Sequence, residues 1–298
     1  MIKIQKPIYD PEKSYTYNLI NGPFFSEKIP KISDVEKEKW VDFLGFKVRS
    51  KIGVPAGPLL SSKWIALASD LGFDILTYKT IRSSYSAGHK SPNIVFMDIP
   101  KQLEKENLNT NFIIRKCQIE NTNDIAITNS FGMPSMDSDF ILEDIKKAHD
   151  SIKEGQILIV SVVGSQSEKI SLAEDFVNVA RLAKEAGAKI IEVNFSCPNI
   201  KSKEGILYKD SEQVFEIITK VKQEIQETPL IVKLGFFDNK EQLKETLIAI
   251  EKAGASAIAG INSVSVSAQK EDGSPALGFG REKSGLCGNP IRDLELEW

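Results

Sequence analysis

Apolar residues along this chain fall in short unbroken runs separated by longer stretches of helical period. The runs at 52–56, 75–79, 157–163, 190–194, 230–234 and 257–262 are each bounded by turn residues. They lack the polar alternation of a half-exposed strand, so both faces should be covered, as in a parallel sheet. Three of the runs follow one recurring unit, a helical stretch, a glycine and then the strand. Asp70-Leu71-Gly72, Ala186-Gly187-Ala188 and Ala253-Gly254-Ala255 are its three copies. Glycine suits the left-handed position after a helix, and the strand that follows must run back along that helix. Helix entries agree: Ser171 with Glu174 reads as a capping box, Asp210 with Gln213 resembles one, and Asn239 with Gln242 is a third. The pattern predicts an α/β fold, either a parallel sheet covered on both faces or a TIM (β/α)8-type barrel. Residues 1–50 form an amino-terminal extension expected to pack on it, and residues 51–298 form the barrel, with an insertion at about 81–137 expected to roof the pocket.

Composition narrows the class. With 298 residues, 41% hydrophobic and 27% charged, the chain can bury a large core. A net charge of -3 without long Lys/Arg runs gives no reason to expect nucleic acid or an anionic membrane surface. No apolar run reaches the roughly 18 residues of a membrane span, and the start has no signal-peptide pattern, so a cytoplasmic location is expected. Cys117, Cys197 and Cys287 have no CxxC spacing and read as free thiols. His89 and His149 are too few for a multi-histidine metal centre, and no metal site is expected. His149 reads as a surface residue and His89 as a loop residue, with a ligand contact as its alternative.

Strand ends carry the chemistry. In parallel α/β proteins the active site forms at the carboxyl ends of the strands. The run at 190–194 leads there into Asn194, Ser196, Cys197 and Asn199; others end in Lys79-Thr80, Lys233 and Asn262-Ser263. A lysine closing a buried strand is costly unless it meets an anion or a hydrogen-bonding ligand. Lys79 and Lys233 together therefore suggest an electron-rich bound group, with structural ion pairing as the alternative reading.

The Asn-Phe-Ser-Cys-Pro-Asn run at 194–199, Lys79-Thr80, Asn-Ser-Phe-Gly-Met-Pro at 129–134, Val-Lys-Leu at 232–234 and Ile-Asn-Ser at 261–263 resemble dihydroorotate dehydrogenases in order and spacing. The thiol at 197 is similar to that of the class 1 enzymes, where the membrane-associated class has a serine. The resemblance implies an FMN-dependent barrel oxidising dihydroorotate to orotate in pyrimidine synthesis. Cys197 would be the base taking the proton from ring carbon 5, while hydride passes from carbon 6 to flavin N5. The resemblance puts Lys79, Asn129, Phe131, Gly132, Met133, Asn194, Asn199, Asn262 and Ser263 around the substrate. It puts Ala56, Gly57, Lys79, Thr80, Asn194, Lys233 and Gly285 around FMN. The segment at 200–210 resembles a mobile lid.

The sequence departs from this pattern at its carboxyl end. The family's seventh and eighth strands, which hold the FMN phosphate, find no counterpart before Trp298, and the stretch 285–298 reads as the start of the helix after the sixth strand. Weak FMN retention, and a homodimer or a completing partner chain, are the resulting expectations. Two rival readings stand beside the main one. One is reduction of uracil or thymine, as in dihydropyrimidine dehydrogenase; the other is a non-catalytic barrel remnant acting as an interaction module.

Overall fold

The computed structural model describes residues 8–97, 99, 102–108, 110–114, 125–196 and 203–298. In chain order its strands begin with β1 (Val41–Phe43), β2 (Phe46–Val48), β3 (Gly53–Val54), β4 (Ile75–Ile81) and β5 (Ile94–Phe96). There follow β6 (Asn111–Ile113), β7 (Ala126–Asn129), β8 (Ile157–Val162), β9 (Ile190–Asn194) and β10 (Leu230–Lys233). The last are β11 (Ala257–Ala259), β12 (Val264–Gln269) and β13 (Lys283–Gly288). The α-helices are α1 (Tyr15–Asn21), α2 (Ser62–Asp70), α3 (Ser138–Ser151), α4 (Leu172–Glu185), α5 (Ser211–Ile225), α6 (Lys240–Lys252) and α7 (Arg292–Glu297).

All six runs read as strands lie in one sheet, ordered β3-β4-β8-β9-β10-β11 with every neighbouring pair parallel. The glycine units explain the repeated reversals. After α2, α4 and α6, Gly72, Gly187 and Gly254 take φ of 90°, 95° and 82°. Each helix closes on the same pair of bonds; after α4, Gly187 N–H donates to Lys184 O and Ala188 N–H to Ala183 O. This double closure satisfies carbonyls at the helix end and sends the chain straight into a strand. Helix starts are equally local. Ser171 and Glu174 form a reciprocal capping box, Asp210 accepts from Gln213 N–H, and Asn239 accepts from Glu241 and Gln242 N–H.

Strand alternation divides the core. Leu76, Leu158, Val160, Ile191, Val193 and Val232 pack outward against the helices with Ile65, Ile145, Phe176 and Ile217. Ile157, Ile159, Ile190 and Ile231 face the other way and pack with Val48 of the β1–β2 hairpin. Tyr15 and Leu19 of α1 belong to the outer core.

A second sheet, ordered β5-β7-β13-β12-β6, is mainly antiparallel and buries Met97, Ala126, Val264, Val266 and Leu286. It corrects the sequence reading at the carboxyl end. Residues 283–288 are a strand, and the helix begins only at Arg292. A Ser-Gly-Leu-Cys-Gly run has little intrinsic strand preference. What makes it a strand is pairing on both edges, with β12 and with β7, whose Thr128 donates to Ser284 Oγ at 2.6 Å across a long sequence separation. Trp298 packs against both the helix-side core and the core of the second sheet.

Candidate functional site

Because the six strands are parallel, their carboxyl ends open on one side, and a cavity of about 490 Å³ lies there. From the first sheet and the loops beyond it come Ala56, Gly57, Lys79, Thr80, Asn194, Lys233, Asn262 and Ser263; from the roof come Asn129, Phe131, Gly132 and Met133. Gly285, also expected at the flavin, is not one of the cavity-lining residues. It pairs with Asn129 in the β13–β7 register and accepts at its carbonyl from Asn129 Nδ2 at 3.2 Å. Cys197 and Asn199 lie outside the described residues, as do Cys117 and residues 200–202 of the expected lid. The following stretch, Lys203–Lys209, is a 3-10 helix with a kink at Ile206, and Leu207 and Tyr208 within it are buried.

Two consecutive side chains of one strand normally point to opposite faces, yet Lys79 and Thr80 both line the cavity. The reason is a bulge: Tyr78 pairs with Val160 and Ile81 with Val162, so β4 carries an extra residue between those pairs. Lys79 N–H donates instead to Leu59 O at 2.9 Å. Thr80 Oγ1 lies 3.0 Å from Ser161 Oγ and accepts from Asn194 Nδ2 at 3.2 Å. Asn194 Oδ1 accepts from Ser196 N–H at 3.1 Å. Asn262 Nδ2 donates to Ser196 O, and its Oδ1 accepts from Ser263 N–H at 2.8 Å. The amides at the strand ends are thus held in fixed orientations before any ligand arrives.

Lys233 is 6% exposed and makes no hydrogen bond or ion pair with another described residue. One layer below on β9, Glu192 is 3% exposed and its Oε1 has no hydrogen-bond partner among the described residues. An uncompensated buried ammonium is unfavourable by several kcal/mol, roughly, unless a ligand completes its shell. Lys233 lines the cavity, where a ligand could reach it.

The roof is braced from several sides. Arg82 Nε donates to Met133 O at 2.9 Å, His89 N–H to Phe131 O at 3.0 Å, and Arg281 to Pro92 O, Asn93 Oδ1 and Ser130 O. His89 Nδ1 lies 3.1 Å from Ser130 Oγ, and its ring fills the space that a side chain at Gly132 would need. His89 is therefore a brace for the roof loop, whereas His149 sits half-buried at the end of α3.

Sequence reasoning missed part of the wall. Ile8, Tyr9 and Trp64 close one end, with Tyr9 edge-on to Phe131 at 5.7 Å between ring centroids. Among the described residues the Trp64 indole N–H is buried with no hydrogen-bond partner, and burial pushes the Tyr9 phenol up to about 12 against the opposing pull of the Asn93 and Asn18 side chains. Cys287 of β13 supplies a thiol to the same cavity, pushed up to about 11 by burial. Within the short Ser-Gly-Leu-Cys-Gly run it carried no local signal. For Tyr9 and Trp64 no local signal existed.

Strands of one parallel sheet, helices packed outside it and a polar cavity with a buried lysine beyond the strands' carboxyl ends define an α/β protein with a cavity where such folds bind ligands. Comparison with known proteins gives the family. The model of the family described as dihydroorotate dehydrogenase matches residues 117–298. Dihydroorotate dehydrogenase of Dictyostelium discoideum is 43% identical over 303 residues, covering 99% of this chain and 82% of that protein. A catalytic subunit of dihydroorotate dehydrogenase B (NAD(+)) from Caldicellulosiruptor saccharolyticus is 42% identical over 95 residues, 32% of this chain and 30% of that one. The chain belongs to the dihydroorotate dehydrogenase family. Among solved structures, the ligand-free DHODH of Eimeria tenella is similar with a TM-score of 0.64 at 18% identity, over 90% of this chain and 72% of that one. The same protein in complex with ferulenol gives 0.67 at 17%, over 90% and 70%. These two likenesses carry the fold alone, which is TIM-barrel-like. Among the described residues no helix is long and apolar enough to cross a membrane.

Proposed function

We propose that this chain is an FMN-dependent dihydroorotate dehydrogenase of the cysteine-base type, oxidising dihydroorotate to orotate. The observation that carries the reading is the convergence of Lys79, Lys233, Asn129, Asn194 and Asn262 on one cavity at the strand ends. The residues present fit a flavin. Among the described residues Lys233 is a buried cation with no hydrogen-bond or ion-pair partner, and no described atom stands within 4 Å of where a side chain at Gly57 would project, leaving backbone open to a flat ligand. Ala56, Gly57, Lys79, Thr80, Asn194 and Lys233 would hold it. When bound, FMN supplies a two-electron acceptor for the hydrogen on ring carbon 6.

The protein's own contribution is orientation and charge. A pyrimidine ring with a carboxylate presents alternating donors and acceptors, which the amides of Asn129, Asn194, Asn199 and Asn262 match. Phe131, Gly132, Met133 and Ser263 form the rest of the substrate wall, and the lysine ammonium groups favour negative charge in a site shielded from water. Cys197 takes the proton from carbon 5, assisted by that positive field. The substrate is a small molecule, and no nucleic-acid or membrane partner is part of the reading.

The test is anaerobic reduction of flavin-loaded protein by dihydroorotate, followed by absorbance. Cys197→Ala should keep its flavin and lose at least about a hundredfold in the reduction rate, the range expected for removal of a general base. Unchanged reduction removes Cys197 from the reaction. A thermal shift with uracil in place of orotate would instead favour a pyrimidine reductase.

A further inference from the structure

Cys287 is a second thiol at this cavity, and its neighbours indicate its work. Asn129 Nδ2 donates to Cys287 Sγ at 3.4 Å as well as to Gly285 O at 3.2 Å, so both contacts lie on the β13 side. An amide is planar, and directing its nitrogen toward β13 turns Oδ1 the opposite way. Flipping it would set Oδ1 against the Gly285 carbonyl, an acceptor facing an acceptor. Ser263 and Lys233 also act on the thiol, so the residue lies between strand β7, the loop before β12 and the end of β10. That a ligand belongs here is indicated independently by Lys233, buried in the same cavity with no hydrogen bond or ion pair among the described residues. With its pKa near 11, Cys287 is a neutral thiol at physiological pH, suited to accepting a hydrogen bond and unsuited to proton abstraction.

We infer that Cys287 is a positioning residue that holds the Asn129 amide with its oxygen toward the substrate, so that the site selects a ring bearing an N–H at that point. The inference rests on the function proposed above and adds a specificity determinant to it. Loss of the sulfur acceptor removes one of the contacts that orient the amide, which weakens recognition without touching the reacting atoms.

The experiment uses the flavin-loaded full chain, with flavin absorbance reporting that each variant is folded and loaded. Orotate, 1-methylorotate and 3-methylorotate are titrated against wild type, Cys287→Ala and Cys287→Ser. Wild type is expected to reject one of the two methyl compounds by more than about tenfold relative to orotate. Cys287→Ala should weaken orotate about fivefold and reduce that discrimination by a similar factor. Cys287→Ser, which keeps an acceptor, should recover most of both. In turnover, Cys287→Ala should raise the KM for dihydroorotate with kcat within about twofold of wild type. Equal discrimination in wild type and Cys287→Ala, or a serine variant as impaired as alanine, overturns the positioning role while leaving the dehydrogenase reading intact. Failure of wild type to bind orotate overturns both.

Discussion

At the residue scale, the site carries features that a stable fold alone would not select. Lys233 places a charge in the interior with no partner among the described residues. Lys233→Met should therefore stabilise the flavin-free chain by about 1–3 kcal/mol, the cost of burying an unsatisfied polar group. The same change should lower FMN affinity at least about tenfold; thermal unfolding without flavin and fluorescence titration with it check the two signs. Gly132 has φ +76°, and an added Cβ would lie 2.6 Å from the His89 ring. Gly132→Ala should cost about 1–3 kcal/mol of local strain and loosen the roof. The expected result is weaker orotate binding in the flavin-loaded protein, with its melting temperature lowered by a few degrees.

At the element scale, one carboxylate ties a strand and two helices together. Asp144 on α3 accepts from the Tyr78 hydroxyl at 2.6 Å, Ser62 N–H at 2.7 Å and Ser62 Oγ at 2.6 Å. The Ser61 side chain makes no capping bond at the start of α2, so Asp144 serves that helix terminus from outside. A negative charge there also complements the helix dipole. Asp144→Ala strands the buried Tyr78 hydroxyl and the helix N–H together, and should cost about 2–4 kcal/mol in urea unfolding. Ser171→Ala removes only the local cap of α4 and should cost about 1 kcal/mol. An Asp144 variant no less stable than the Ser171 variant would show that the shared carboxylate is not the anchor.

At the scale of the whole molecule, burial of phenols sets the alkaline limit. Tyr9 and Tyr208 are both pushed up to about 12, mainly by desolvation, and Tyr15 and Tyr78 are also raised. A group whose pKa is higher in the folded state contributes stability that is complete below its unfolded value, near 10. That contribution is lost as pH rises toward the folded value. Stability should therefore fall between pH 10 and about 12, by up to roughly 1.4 kcal/mol per pH unit for each fully buried phenol. Tyr208→Phe should make that decline shallower by about one proton in denaturation series at stepped pH. A decline of unaltered slope would exclude Tyr208 from the linkage.

The sequence by itself determined the repeating β/α plan, because the signals are local: a glycine at φ near 90° ends α2, α4 and α6, and Ser171, Asp210 and Asn239 start α4, α5 and α6. It also placed Asn194 and Lys233 at strand ends, since an apolar run closing on a polar side chain is visible in one dimension, whereas β4 runs two residues past Lys79 and β11 stops three before Asn262. Tertiary structure decided what depends on partners distant in the chain. Strand β13 exists through its pairing with β7 and β12, and the bulge that turns both Lys79 and Thr80 into the cavity is a matter of register with β8. Tyr9 and Cys287, at opposite ends of the sequence, share one cavity wall because strand and loop packing brings them there, a proximity that no periodicity encodes.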